Sequence, residues 1–158
     1  MTSDKILSKE KALPLINEWK KKGKVVFTNG CFDILHLGHV DYLEKARNLG
    51  YKLILGINTD NSIKGLKGSD RPITNEYSRA RVIAALEFVD AVILFNEETP
   101  YDLISYLKPD ILVKGDDYAI ENIVGADVVL ENGGTVKTVS LVKGYSTSNI
   151  ISKIKNLK

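Results

Sequence analysis

The chain has 158 residues, 22 Lys and Arg against 20 Asp and Glu, and a formal net charge of +2. That length fits one domain with a core of its own, and the near balance of charge offers no general attraction to nucleic acid. The single cysteine, Cys31, excludes an intramolecular disulfide, and no apolar run approaches the ~18 residues of a membrane span.

We expect one domain over residues 1–158, with 1–23 as an N-terminal helical extension. The opening carries Lys5, Lys9, Glu10 and Lys11 and no apolar h-region, so it does not read as a secretory leader. A cytoplasmic location is expected.

The spacing predicts a helix over residues 8–22, with Ser8 as N-cap and Leu13, Ile16 and Trp19 on one face. Val25-Val26-Phe27 reads as a buried strand. A helix from about Gly38 to Asn48 follows, with Val40, Leu43 and Ala46 at helical spacing and Gly50 as its stop. Leu53–Ile57 is a second strand, and residues 61–74 read as a polar loop ending near Pro72. Asn75–Phe88 is predicted helical, Ala91–Phe95 a third strand, and Thr99-Pro100 a helix start, N-cap then first position. That helix runs to about Leu107. Ile111-Leu112-Val113 is a fourth strand, Asp127–Leu130 and Thr135–Leu141 are weaker strands, and residues 147–157 form a last helix.

Continuous apolar strands alternating with helices predict an α/β fold. It is a Rossmann-like, doubly wound parallel sheet with helices on both faces. Such sheets take ligands at the carboxyl ends of strands where the strand order reverses. The chemistry is therefore sought after the first and fourth strands.

Directly after the first strand come Thr28-Asn29-Gly30-Cys31-Phe32-Asp33 and then His36-Leu37-Gly38-His39. Gly30 permits a tight turn close to a ligand. His36 and His39 are three residues apart around a helix start, so both rings can occupy one side. Gly38 between them lets a phosphate approach the backbone, and the helix start adds free N–H groups and partial positive charge. The pattern is an anion site with two imidazoles, built without a phosphate-loop motif. At the other end of the chain, Gly144-Tyr145-Ser146-Thr147-Ser148 opens the last helix with hydroxyls, which bind phosphate together with free N–H groups or serve as a plain N-cap.

These residues resemble the H-x-G-H nucleotidyltransferase superfamily of cytidylyltransferases and adenylyltransferases. From about Lys24 to Ile154 the chain is similar to the adenylyltransferases that act on D-glycero-β-D-manno-heptose 1-phosphate. The similarity lies in Thr28–Asp33, Leu66-Lys67-Gly68, Asp70-Arg71-Pro72, Leu112–Gly115, Val124–Asp127 and Gly144–Thr147. Two departures stand out: Asp116 where that family often has glycine, and Ser148 where it often has threonine. Many of these relatives are fused to a sugar kinase, for which 158 residues leave no room. The resemblance implies a stand-alone transferase that moves AMP from ATP to the sugar phosphate, making ADP-heptose for surface glycans such as lipopolysaccharide core.

On this reading His36, His39 and Lys67 carry the chemistry. The loop Lys64–Pro72, with Lys67 and Arg71, makes a basic lid over the triphosphate. Arg79 matches an arginine seen widely in the superfamily and would contact phosphate or hold the lid. Lys114, Gly115 and Asp117 lie where nucleotide or sugar contacts are expected, and Thr28, Asn29, Gly30, Cys31, Phe32 and Gly38 line the phosphate turn. Asp33 is expected to orient a backbone loop or a metal-bound water. Tyr145, Ser146, Thr147 and Ser148 complete the nucleotide site.

Magnesium is expected to arrive with ATP, since no carboxylate cage is visible. The expected partners are small molecules and a homodimer or higher homo-oligomer, with neither nucleic acid nor membrane. One rival is a cytidylyltransferase for glycerol 3-phosphate; that group typically has an arginine just before the Ser-Thr cluster, where this chain has Ser140-Leu141-Val142-Lys143. A nucleotide-sensing or RNA-binding protein on the same fold is the rival from a different class.

Overall fold

The computed structural model describes residues 1–157. Six strands form one sheet: β1 (Ile6–Leu7), β2 (Val25–Gly30), β3 (Lys52–Asn58), β4 (Ala91–Phe95), β5 (Ile111–Gly115) and β6 (Thr135–Val139). Their order is β1-β4-β3-β2-β5-β6 and every pairing is parallel. The helices are α1 (Lys9–Lys20), α2 (Leu37–Arg47), α3 (Asp60–Lys67), α4 (Glu76–Ala84), α5 (Tyr101–Leu107), α6 (Ala126–Glu131) and α7 (Thr147–Lys155).

The two-residue period of a strand sorts the core. Val25 and Phe27 join Ile54, Ile93 and Leu112 on one face, under Ile16 of α1, Leu103 and Ile104 of α5 and Val129 of α6. Val26 joins Leu53, Leu55, Val92 and Val113 on the other, under Leu43 and Ala46 of α2 and Ala80 and Ile83 of α4. Both faces are thus covered, as continuous apolar strands require.

Four local expectations differ from the structure. Residues 6–20 are built into the layers rather than appended to them: Ile6 and Leu7 pair with Val92 and Ile93 at the sheet edge, and Ala12 and Ile16 of α1 are buried. The stretch expected as a polar loop contains α3, capped by Thr59, whose side chain accepts from the Ser62 N–H, and anchored by fully buried Ile63. Residues 126–131 are helical instead of extended, because Ala126 and Val129, three apart, both turn into the core. Pro100, not Thr99, stands at the N-cap of α5.

Candidate active site

From β2 the chain lays β3 and β4 to one side, then returns to lay β5 and β6 on the other. The carboxyl ends of β2 and β5 consequently face a crevice that no crossover covers. A cleft of about 380 Å3 occupies that place.

Asn29 and Gly30 at the end of β2 and Cys31 and Phe32 beyond it form one wall. Phe32 takes a φ of +48°, uncommon for an aromatic residue. Its ring lies over Gly30, where an added Cβ would come within 3.0 Å of it. The same ring stands 5.1 Å from that of His39, tilted by 60°.

His36 is the N-cap of α2 and makes no side-chain cap bond, so no side chain closes the N–H groups of the first turn. The rings of His36 and His39 stack with centroids 3.8 Å apart. Gly38 makes this possible: a Cβ there would meet the His36 ring at 3.1 Å and Tyr145 Cβ at 3.2 Å. Burial pushes His39 down to about 4, with repulsion from His36 and Lys67 adding to the effect. The backbone of Ile34 opposes the shift without making a well-aligned hydrogen bond to the ring. Burial lowers His36 as well. Both rings are therefore neutral at physiological pH in the free protein, and neither Nδ1 has a protein partner among the described residues.

The opposite wall is the start of α7. Ser146 is its N-cap, its hydroxyl accepting from the Asn149 N–H at 3.1 Å, which leaves the hydroxyl proton free to donate. Tyr145, Thr147 and Ser148 line the cleft beside it. Two helix N-termini thus open on one space, each a source of free N–H groups and positive potential.

Cations complete the rim. Lys67 lines the cleft from the last turn of α3, with Gly68 beyond it at φ +90°, so it projects from a helix end rather than from the expected loop. Arg71 also lines the cleft, and its Nε donates to Asp33 at 2.7 Å. From the end of β5, Lys114 Nζ donates to Asn29 Oδ1 at 2.6 Å and lies 5.8 Å from the centre of the Tyr118 ring. Burial pushes Lys114 down to about 8, against the pull of Asp117. Gly115 and Asp117 line the cleft next to it, and a Cβ on Gly115 would meet Asp117 Oδ1 at 2.5 Å.

Three expected site residues stand behind the cleft. Thr28 is fully buried, its hydroxyl 2.6 Å from that of Tyr42. Asp33 accepts from the N–H groups of Ile73 and Thr74 at 2.8 and 3.0 Å and from Arg71, so it ties down the segment that follows α3. Burial alone would raise its carboxyl; the Thr74 and Ile73 N–H groups and Arg71 overcome this and hold it below the ordinary value. Arg79 corrects the expectation of a phosphate contact. Its side chain has no exposure, and its donors go to the carbonyls of Thr74, Cys31 and Asn58 and to Asp60 Oδ1. It holds three segments around the cleft together from behind: the turn at Cys31, the stretch Asn58–Asp60 and Thr74.

Sequence reasoning missed Tyr42, Tyr118, Leu141 and Val142, all of which line the cleft. Tyr42 follows His39 by three residues on the same helix, a spacing that marks it in retrospect. Leu141 and Val142 come from an irregular segment with no pattern to read. Among the described residues no three His, Cys, Asp or Glu groups cluster to hold a metal ion, and no helix is long and apolar enough to cross a membrane.

The sequence profile of the cytidylyltransferase-like family matches residues 27–153. The bifunctional protein HldE of Methylobacillus flagellatus is 52% identical over 153 residues, which are 96% of this chain and 31% of that protein. Its namesake in Campylobacter jejuni subsp. doylei is 54% identical over 154 residues, 98% of this chain and 32% of that one. The chain spans about a third of the length of the curated relatives it matches. Among solved structures, the lipopolysaccharide core biosynthesis protein from Thermoplasma volcanium superposes with a TM-score of 0.61 at 35% identity, over 78% of this chain and 99% of that one. Pantothenate synthetase from Thermus thermophilus shares the fold, with a TM-score of 0.59 at 17% identity over 92% of this chain and 67% of that one.

Proposed function

Because the chain belongs to the cytidylyltransferase-like family, we propose that it is a nucleotidyltransferase moving AMP from ATP onto D-glycero-β-D-manno-heptose 1-phosphate, with release of pyrophosphate. The observation that carries this reading is the convergence of two helix N-termini, the stacked His36 and His39, and Lys67 and Lys114 on one cleft. That set suits a polyanion and leaves no group positioned as a covalent nucleophile.

The reaction needs none. An oxygen of the sugar phosphate attacks the α-phosphorus of ATP in line, the bond to the bridging oxygen of the β-phosphate breaks, and pyrophosphate leaves. Positioning and charge neutralisation supply the rate. The helix starts hold phosphate oxygens, His36 and His39 donate to the transferring phosphoryl group, and Lys67 faces the leaving pyrophosphate. Magnesium would enter with the ATP substrate and would help to neutralise its phosphates; among the described residues no three His, Cys, Asp or Glu groups cluster, so the nucleotide and water would hold it.

ATP is favoured over CTP because Leu141 and Val142 form the wall before Gly144, with no arginine in that stretch. The sugar assignment draws on the resemblance in six segments of sequence and on the likeness to a lipopolysaccharide core biosynthesis protein. The test is a screen of ATP, CTP, GTP and UTP against a panel of sugar phosphates and glycerol 3-phosphate, read by pyrophosphate release. ATP with the heptose 1-phosphate is the expected productive pair. A preference for CTP would overturn the adenylyl assignment, and a different sugar phosphate the acceptor.

A further inference from the structure

The Tyr42 hydroxyl reaches two strands from one helix. It donates to the Val113 carbonyl of β5 at 3.1 Å and lies 2.6 Å from Thr28 Oγ1 of β2. A phenol has one proton, so with that proton on the Val113 carbonyl the Thr28 hydroxyl must be the donor to Tyr42. Burial pushes the Tyr42 phenol well above its ordinary value, so it stays a neutral hydroxyl and both bonds persist across physiological pH.

What matters is what stands next to each partner. Thr28 precedes Asn29, and Val113 precedes Lys114, and Asn29 Oδ1 accepts from Lys114 Nζ at 2.6 Å. On its own helix Tyr42 lies one turn beyond His39, on the same face. A single buried hydroxyl therefore ties the helix that carries the histidine pair to the two strand ends that carry the lysine and its acceptor. The ring itself is packed in the core between α2 and the sheet and does not need the hydroxyl for that burial. The proposed reaction needs neither a phenol nor its proton.

We propose that Tyr42 is a positioning residue whose hydroxyl sets the distance between the His36–His39 pair and Lys114 in the cleft. The proposal rests on the adenylyltransferase reading only in its kinetic consequence. Two groups that act on one substrate must be held to a fraction of an ångström, and a misplacement of about 1 Å is enough to cost on the order of a hundredfold in rate. The rim cations act over longer range and tolerate such a shift in binding ATP.

The experiment uses Tyr42→Phe, which keeps the ring and removes both bonds. Turnover at saturating ATP and heptose 1-phosphate is expected to fall about tenfold or more. The Kd for ATP should stay within about twofold and the melting temperature within a few degrees. The imidazole NMR signals of His36 and His39 are expected to move, while core methyl signals far from the cleft hold still. Thr28→Val breaks the same link from β2 and should reproduce the pattern, and it serves in place of Tyr42→Phe if that variant does not fold. Unchanged turnover with unchanged imidazole signals overturns the proposal. So does a loss of turnover matched by equal losses in ATP affinity and melting temperature, which marks a merely structural hydroxyl. If the unaltered protein releases no pyrophosphate with any substrate pair, the functional reading fails by itself, and the imidazole signals still decide the positioning role.

Discussion

The rings of His36 and His39 lie face to face, 3.8 Å between centroids and 19° between planes. Two imidazolium ions at that distance would repel, and the free protein keeps both rings neutral through burial. A bound triphosphate changes the balance, because its negative charge favours the protonated ring. His39→Ala should then lower turnover by about a hundredfold or more, since a donor aimed at charge that develops in the transition state is worth roughly 3–4 kcal/mol. ATP affinity should change far less. His36→Ala should behave alike, and the double variant should lose less than the product of the two, as both donors serve one phosphoryl group. Steady-state kinetics on the three variants, with folding followed by thermal melting, provides the check. Near-normal turnover in folded His39→Ala removes the main support for the mechanism.

The same burial has a consequence for stability. His39 titrates near 4 when folded and near 6.5 when unfolded, so between these values the unfolded chain holds the extra proton. Its contribution is complete above about pH 6.5 and is lost as pH falls towards 4, by roughly 3 kcal/mol over the whole window. Urea unfolding from pH 7 to 4.5 should show a steeper loss for the unaltered protein than for His39→Gln. Parallel curves would mean that the folded ring is not shielded as the structure places it.

Lys67 stands at the end of α3 with Gly68 and the Asp33-anchored segment just beyond. Its charge should matter most as negative charge moves onto the departing pyrophosphate. Lys67→Ala is expected to cut turnover at saturation by more than it weakens the Kd for ATP. Equal turnover with weaker affinity would leave the lysine as a binding group only.

Cys31 lies on the cleft wall, and the one polar contact of its thiol among the described residues is 3.9 Å, from Sγ to Asn58 Oδ1. That partner is a neutral amide, which cannot take the proton to generate a thiolate nucleophile. Cys31→Ser should retain turnover within about tenfold. A loss beyond a hundredfold in a variant that folds and binds ATP would assign the thiol a part in the chemistry.

Asp33 gathers Ile73, Thr74 and Arg71, some forty residues away in the chain. Asp33→Ala should release that segment, seen as faster amide exchange at Ile73 and Thr74 and a several-fold rise in KM for ATP through the freed Arg71. Unchanged exchange would show that the segment is held by other contacts.

The signals that were legible along the chain were local ones. A strand that must be buried on both sides reads as Val25-Val26-Phe27, and the strand order then dictates where a ligand enters. His36, Gly38 and His39 declare themselves by their spacing around a helix start, and Ser146 by its place before one. For these, sequence spacing is spatial spacing, and no distant contact is needed.

Distant contacts decided the rest. Arg79 is a core residue because its donors find Cys31, Asn58, Asp60 and Thr74, none of which its helix can announce. Residues 126–131 carry the β-branched pair Val128-Val129, yet they coil because Ala126 and Val129 find a buried place beside α5 and β6. The segment expected as a loop became α3 once Ile63 had a core to enter. Lys114 meets Asn29 across 85 positions, and Tyr42 meets Val113 across 71. Local pattern names the groups a site contains, whereas the distances between them depend on which strands become neighbours, and only the packed sheet sets that.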